Sequence, residues 1–216
     1  MHNNRISKLI SILNKNYQEA WDTCCDHGKI GIEIFRKNRA KNIYFIDIVP
    51  SIIEKLRATL DYHFPNSTNK LNSQVLDASK IKVLNDGNIK LICICGVGGK
   101  ETIEILKGII ENNDLSNVDF LLSPHYNLFE VRTYLIEEGF TSIDEQLIKD
   151  GKWFYEVLYV SKNGSNKICN VGSNLHSKSS EDYFKKVLNH YLLKSRYDDN
   201  YQHIYQAYLS KIFGQS

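Results

Sequence analysis

Two periodicities alternate along this chain, and that alternation limits its fold more than any other feature. "EAWDTC", "KNIYFIDIV", "LNSQVLD", "IKLICICG" and "VDFLLSP" are short apolar runs that read as strands. "IKLICICG" has the nearly unbroken apolar character of a strand buried on both faces. Among them lie segments with apolar residues every three or four positions. "KIGIEIFRKN" is one, and Pro50 opens another through Ile52, Ile53, Leu56 and Leu60. "KETIEILKGIIENN" continues the pattern through Ile103, Leu106 and Ile110, and Gly139 ends "NLFEVRTYLIEEG". Ile6, Leu9, Ile10 and Leu13 predict a helix ahead of the first strand. "FTSIDEQLIKDG" and "KWFYEVLYVSKNG" predict a hairpin turning at Asp150–Gly151. The expected fold is α/β: a parallel sheet with helices on both faces, right-handed crossovers and one antiparallel hairpin at its edge.

The character changes after "KNGSNK". Residues Ser179 to Phe213 read as helical and tyrosine-rich, with Tyr183, Val187 and Tyr191 on one face and Phe184, Leu188 and Leu192 on another. Ile204, Tyr205, Tyr208 and Ile212 follow. A boundary is expected near Asn163–Asn174, giving a main domain over 1–163 and a helical subdomain over 164–216. The whole chain carries a formal charge of only +2, so total charge does not announce a nucleic-acid binder. From Lys162 onward, however, there are eight Lys/Arg against four Asp/Glu. Lys185, Lys186, Lys194, Arg196 and Lys211 are the candidate phosphate contacts. No apolar run approaches the roughly 18 residues of a membrane helix. "MHNNRISKLISILNKNY" lacks the apolar core of a signal peptide, so the cytoplasm is the expected compartment.

"WDTCCDHGKIG" follows the first strand, where open α/β sheets bind ligands. Five cysteines (Cys24, Cys25, Cys93, Cys95 and Cys169) without a secretion signal are expected to be free thiols. Cys24, Cys25 and Cys95, with His27 or His125, could converge as a zinc site. Their spacing does not match paired CxxC units, and the expectation is no metal. In class I methyltransferases this turn usually reads acidic-x-Gly-x-Gly-x-Gly. Here that register gives Asp22, Cys24, Asp26 and Gly28. Asp47 then ends the second strand about 20 residues on, as a ribose-binding carboxylate should. Asp77 follows the third strand, placed for an adenine amino group. "CGVGGKE" brings glycines after the fourth, where backbone can approach a ligand closely.

Four segments resemble one family. "DTCCDHGKIG" is similar to its "DIGSDHG-x-L-P" loop, and "ICGVGG" to "IAGMGG". "LLSPHYNLFEVRTYLIEEGF" is similar to a segment beginning "LQPN", and "KWFYEVLYV" to a "K-x-YEI-x-V" strand. The family is TrmK, the bacterial tRNA (adenine-22, N1)-methyltransferases, and the resemblance covers about residues 5 to 160. It implies a Rossmann-like, seven-stranded class I methyltransferase sheet and S-adenosyl-L-methionine as cofactor. The cofactor positions it implies are Asp22, Cys24, Asp26, His27, Gly28, Asp47, Ile48, Asp77, Ala78, Gly96, Val97 and Gly98. Asp26, His27 and His125 are the implied catalytic groups, with "SPHYN" walling a base pocket. The implied partner is tRNA, and the protein is expected to be a monomer or weak homodimer. Three letters depart from the pattern: Cys24 stands where the family has glycine, Val97 replaces methionine, and "SPH" replaces "QPN". A Cβ at position 24 is strained if the turn needs positive φ. A methyltransferase of small molecules or proteins, and a non-catalytic RNA-binding relative, are the alternatives. A nicotinamide dehydrogenase is more distant, because the loop lacks two glycines.

Overall fold

The computed structural model describes residues 4–214. Helix α1 (Asn4–Ser11) precedes β1 (Tyr17–Thr23), α2 (Lys29–Arg36), β2 (Ala40–Asp47), α3 (Pro50–His63) and β3 (Leu71–Val75). Then come β4 (Lys90–Cys95), α4 (Gly99–Asn112), β5 (Val118–Ser123), α5 (Leu128–Glu137), β6 (Thr141–Asp150) and β7 (Trp153–Ser161). The strands form one seven-stranded sheet in the order β3-β2-β1-β4-β5-β7-β6. Strands β1 to β5 run parallel; β7 joins β5 antiparallel and pairs with β6. The chain order reverses between β1 and β4, which makes their shared carboxyl edge the switch point.

The side-chain alternation of β4 accounts for its unbroken apolar letters. Leu91, Cys93 and Cys95 enter a core with Phe45, Leu56 and residues of α1. Ile92 and Ile94 enter the opposite core with Phe120, Leu106 and Leu135. Both faces are therefore covered, by α1 to α3 on one side and α4 and α5 on the other. Cys93 is fully buried, as a small apolar residue would be.

The structure shifts two details of the expected elements. The inward face of α4 is Thr102, Ile105, Leu106 and Ile109, with Ile103 and Ile110 at its flanks. The hairpin turn is Gly151–Lys152, because Asp150 still pairs with Trp153. Gly151 supplies the positive φ of 58° that this tight turn needs.

After β7 the chain runs to α6 (Glu181–Ser195) and α7 (Gln202–Tyr208), followed by a π-helical segment, Leu209–Phe213. Phe184, Tyr191, Ile204, Tyr208 and Ile212 form a third core, closed by Val171 and by Phe129 of α5. Arg132 of α5, fully buried, ties this part to the sheet. Its guanidinium donates to Glu156 at 2.7 and 2.9 Å, to Glu145 at 2.8 Å and to the Cys169 carbonyl at 3.0 Å. Tyr183 of α6 hydrogen-bonds the other oxygen of Glu156. Among the described residues no helix is long and apolar enough to cross a membrane.

Candidate active site

A cleft of about 250 Å³ opens at the switch point. Its floor is the carboxyl end of β1 and the loop after it: Asp22, Cys24, Cys25, Asp26 and His27. Cys95 and Gly96 from β4, and Ser123 and His125 from β5, form one wall. Arg5, Ile6 and Leu9 of α1 and Tyr155 of β7 form another. The parallel strands place their carboxyl ends side by side, so residues more than a hundred positions apart in sequence meet here.

The loop is held in a sharply turned backbone. Cys24, Asp26 and Gly28 have φ of 52°, 47° and 64°. Only Gly28 adopts this region without a Cβ penalty, so the glycine replaced by Cys24 leaves real strain. Asp22 is buried, and its carboxylate accepts the Gly31 N–H at 2.8 Å, which anchors the loop to the first turn of α2. Burial is the main cause that pushes the Asp22 carboxyl up to about 7; the Gly31 bond opposes the shift and neighbouring Asp47 adds to it. Gly31 is where α2 lies against β2, and an added Cβ would meet Ile43 at 2.8 Å and the Phe45 ring.

Burial works against the thiolate form of the cysteines that line the cleft. Burial, helped by Asp47 and Asp22, raises Cys24 to about 11, and burial pushes Cys25 and Cys95 higher still. All three are neutral thiols at physiological pH. They do line the same cleft, as the sequence suggests they could. Among the described residues, though, no three His, Cys, Asp or Glu side chains are grouped to hold a metal ion.

Asp47 sits beyond the loop at the end of β2. Its carboxylate accepts from the backbone of Asp26 at 3.3 Å and of Val49 at 3.0 Å. Next to it Ile48 is 67% exposed, an apolar face with nothing packed over it. Asp77 caps a short turn, accepting from the Ser79 N–H at 3.0 Å and hydroxyl at 2.8 Å; these bonds lower its pKa. Ala78 is buried beneath that turn. Gly96 has φ of 84°, and Gly98 precedes α4 where an added Cβ would strike the Tyr126 hydroxyl at 2.5 Å. Val97 is half-buried between them, and its carbonyl accepts from the His125 N–H at 2.9 Å.

The predicted residues thus divide into two groups. Asp22, Cys24, Asp26, His27, Gly96 and His125 share the cleft, and Gly28 ends the loop as the N-cap of α2. Asp47, the last residue of β2, and Ile48, Asp77, Ala78, Val97 and Gly98, on the loops after β2, β3 and β4, are not among its walls. Asp26 and His27 are exposed at the mouth, 3.6 Å apart. Arg5 and Tyr155 of the cleft escape the sequence reading, whereas Ser123 belongs to the loop expected to wall the base pocket. Tyr155 lies in the "KWFYEVLYV" segment and Ser123 in "SPHYN", so both carry a signal. Arg5 has none beyond its place on an amphipathic helix.

The five candidate phosphate contacts are not gathered on one surface. Lys185 pairs with Glu181 at 2.6 Å, and Lys186 donates to the Lys152 carbonyl at 3.4 Å. Lys194 lies over the Tyr201 ring at 4.5 Å, and Lys211 donates to Asn170 at 3.3 Å. At about 100° per residue, Lys185 and Lys194 project from opposite sides of α6. Arg196 caps its end.

A methyltransferase-domain family matches residues 2–158. The chain belongs to that family. A Mycoplasma genitalium protein provisionally named a tRNA methyltransferase is 26% identical over 160 residues, covering 73% of this chain and 69% of that protein. A Streptococcus pneumoniae protein provisionally described as a tRNA (m1A22) methyltransferase, solved with S-adenosyl-L-methionine, superposes with a TM-score of 0.79. The identity is 19%, and the match covers 98% of this chain and 100% of that one. M. capricolum TrmK, solved with S-adenosyl-homocysteine, gives a TM-score of 0.73 at 16% identity over 98% of this chain and 95% of that one. These structures share the Rossmann-like fold.

The residues present fit a nucleoside cofactor with a cationic tail. The turned loop leaves open space over Asp22, a buried carboxyl facing the cleft. The nearly buried Asp47 carboxylate and the exposed Ile48 stand side by side at the neighbouring strand end, one suited to ribose hydroxyls and the other to an apolar ring.

Proposed function

We propose that the protein is an S-adenosylmethionine-dependent methyltransferase that modifies N1 of an adenine in tRNA. The observation that carries this reading is the cleft itself. It joins the loop floored by Asp22 directly to a chamber walled by His125 and Tyr155, so cofactor and base would share one space. The cofactor, when bound, supplies an electrophilic methyl group. Asp47 and Ile48 would hold its adenosine, with Asp77, Ala78 and Val97 around the base. Asp22, Cys24 and Gly28 would shape the seat of its methionine end, and Gly96 and Gly98 would let backbone close on it.

Adenine N1 has a usable lone pair, so no strong base is needed to start. The chain's main contribution is position, which holds N1 in line with the transferring carbon. Asp26, His27 and His125 line the cleft, where they would stabilise the charge that develops. A base inside folded tRNA must be turned out of its stack to reach the cleft. The helical subdomain, residues 164–216, would hold the RNA backbone through Lys185, Lys186, Lys194, Arg196 and Lys211. A tRNA substrate would place the protein in the cytoplasm.

The test is to incubate unmodified tRNA with the protein and methyl-labelled cofactor, then analyse its nucleosides by mass spectrometry. Labelled 1-methyladenosine is expected. Label in another nucleoside, or none in RNA, overturns the reading. The opposite orientation of Lys185 and Lys194 on α6 favours a second reading, a small-molecule or protein substrate. Label in those fractions instead of RNA would establish it.

A further inference from the structure

The Tyr155 ring forms one wall of the cleft, half-buried on β7, with the His125 ring 6.3 Å away across it. Its π-face is already in use. The Arg5 guanidinium carbon lies 4.5 Å from the ring centroid. Arg5 forms no ion pair with a carboxylate among the described residues, so the aromatic face is its partner rather than an acidic side chain. The negative face of an aromatic ring attracts cations, more strongly where water is excluded.

The proposed reaction creates a cation in this space. N1 of the adenine gives its lone pair to the methyl carbon. The carbon–sulfur bond breaks with its pair staying on sulfur, and the positive charge moves from sulfur to the adenine ring. A group that binds a cationic ring better than a neutral one lowers the barrier to that step. Base–aromatic stacking also holds a turned-out nucleotide without reading its sequence.

We propose that Tyr155 is a catalytic residue of this enzyme: its π-face receives the target adenine and stabilises the positive charge that builds on it. Arg5 occupies the face in the free protein. It leaves when the base enters, because a stacked adenine and the guanidinium would occupy the same ring face. This inference rests on the tRNA reading and adds to it a cation-binding wall and the residue that provides it.

The experiment replaces Tyr155 with phenylalanine and with mono-, di- and trifluorinated phenylalanines. These keep the ring's shape while draining negative charge from its face. Methyl transfer to unmodified tRNA is measured for each. The Tyr155→Phe variant keeps the ring and lacks only the hydroxyl, so it is the reference against which the fluorinated rings are compared. The kcat should then fall stepwise, about ten-fold in all from phenylalanine to the trifluoro ring. KM for tRNA should change less than about two-fold. Tyr155→Leu should lose still more, but only the near-isosteric series separates charge from packing. A kcat that stays flat across the series, in wild-type protein that methylates tRNA, removes this inference and leaves the function standing. A wild-type protein that transfers no methyl group to tRNA removes both.

Discussion

Asp47 accepts the backbone N–H of Asp26 at 3.3 Å, so the end of β2 holds the loop that follows β1. One carboxylate therefore fixes the floor of the cleft and stands where the cofactor ribose would lie. Asp47→Ala removes both contributions. Cofactor affinity should drop by about 1.5–3 kcal/mol, the range for hydrogen bonds to a charged group, while the protein stays folded. Calorimetry beside a thermal melt checks this. An unchanged dissociation constant in a folded variant would remove Asp47 from the cofactor site.

Cys24 has a φ of 52°, a conformation that costs a residue with a Cβ roughly 1–2 kcal/mol. Glycine returns some of that to unfolded-chain entropy, about 0.5–1 kcal/mol. The net expectation for Cys24→Gly is stabilisation of about 0.5–1 kcal/mol, read as a higher urea midpoint with an unchanged slope. A lower midpoint would mean that packing of the Cys24 side chain against the core around Ile92 and Ile94 outweighs the strain.

The sheet is legible in the sequence because its strands and helices have distinct periods, and "IKLICICG" announces a strand covered on both sides. Cys24 is legible as a strained position because it stands where the resembled loop has glycine. The remaining site residues are hidden for a geometric reason. Arg5 reaches the cleft only because α1 crosses to β7, a contact between residues 5 and 155 that no local pattern encodes. Arg132 reads as part of an ordinary helix. Its burial follows from Glu145, Glu156 and Tyr183 converging from three different elements.

The Asp22 carboxyl titrates near 7 in the folded protein against 3.8 when unfolded, chiefly through burial. Its folded pKa is raised, so the fold favours the protonated form. The stability this contributes is full below about pH 4 and is lost as pH rises through about 7. Cofactor binding should run the other way, because a cationic ligand over Asp22 favours the ionised carboxylate. Affinity should rise with pH up to about 7 and then level off, with proton release on binding below that point. Titrations in buffers of different ionisation enthalpy measure the proton directly, and Asp22→Asn should abolish both the slope and the release.

Arg132 is the sole cation in ion pairs with the buried carboxylates Glu145 and Glu156 among the described residues. Arg132→Ala would leave both charges uncompensated and release the Cys169 carbonyl. A loss of about 3–5 kcal/mol in unfolding free energy is expected from chemical denaturation. Arg132→Ala combined with Glu156→Gln and Glu145→Gln should recover part of it, because the stranded charge is then gone. No recovery would show that the cost is lost packing between α5 and the helical subdomain.

Lys185 and Lys186 give the sharpest test of the helical subdomain as an RNA grip. Each has weak internal partners: an exposed glutamate for Lys185, and a long bond to a turn carbonyl and the Phe154 ring for Lys186. Surface pairs of this kind contribute little and are readily exchanged for phosphates. Replacing both lysines with alanine should lower tRNA affinity and flatten the dependence of log K on log salt by about one unit per lost contact. Cofactor affinity should not change, because that site lies across the sheet edge and α6 is not among its walls. Filter binding of tRNA over a range of salt, with calorimetry for the cofactor, separates the two effects. If affinity and slope both stay fixed, these lysines only keep α6 hydrated. Their stretch of α6 is then packing or a dimer contact rather than an RNA grip.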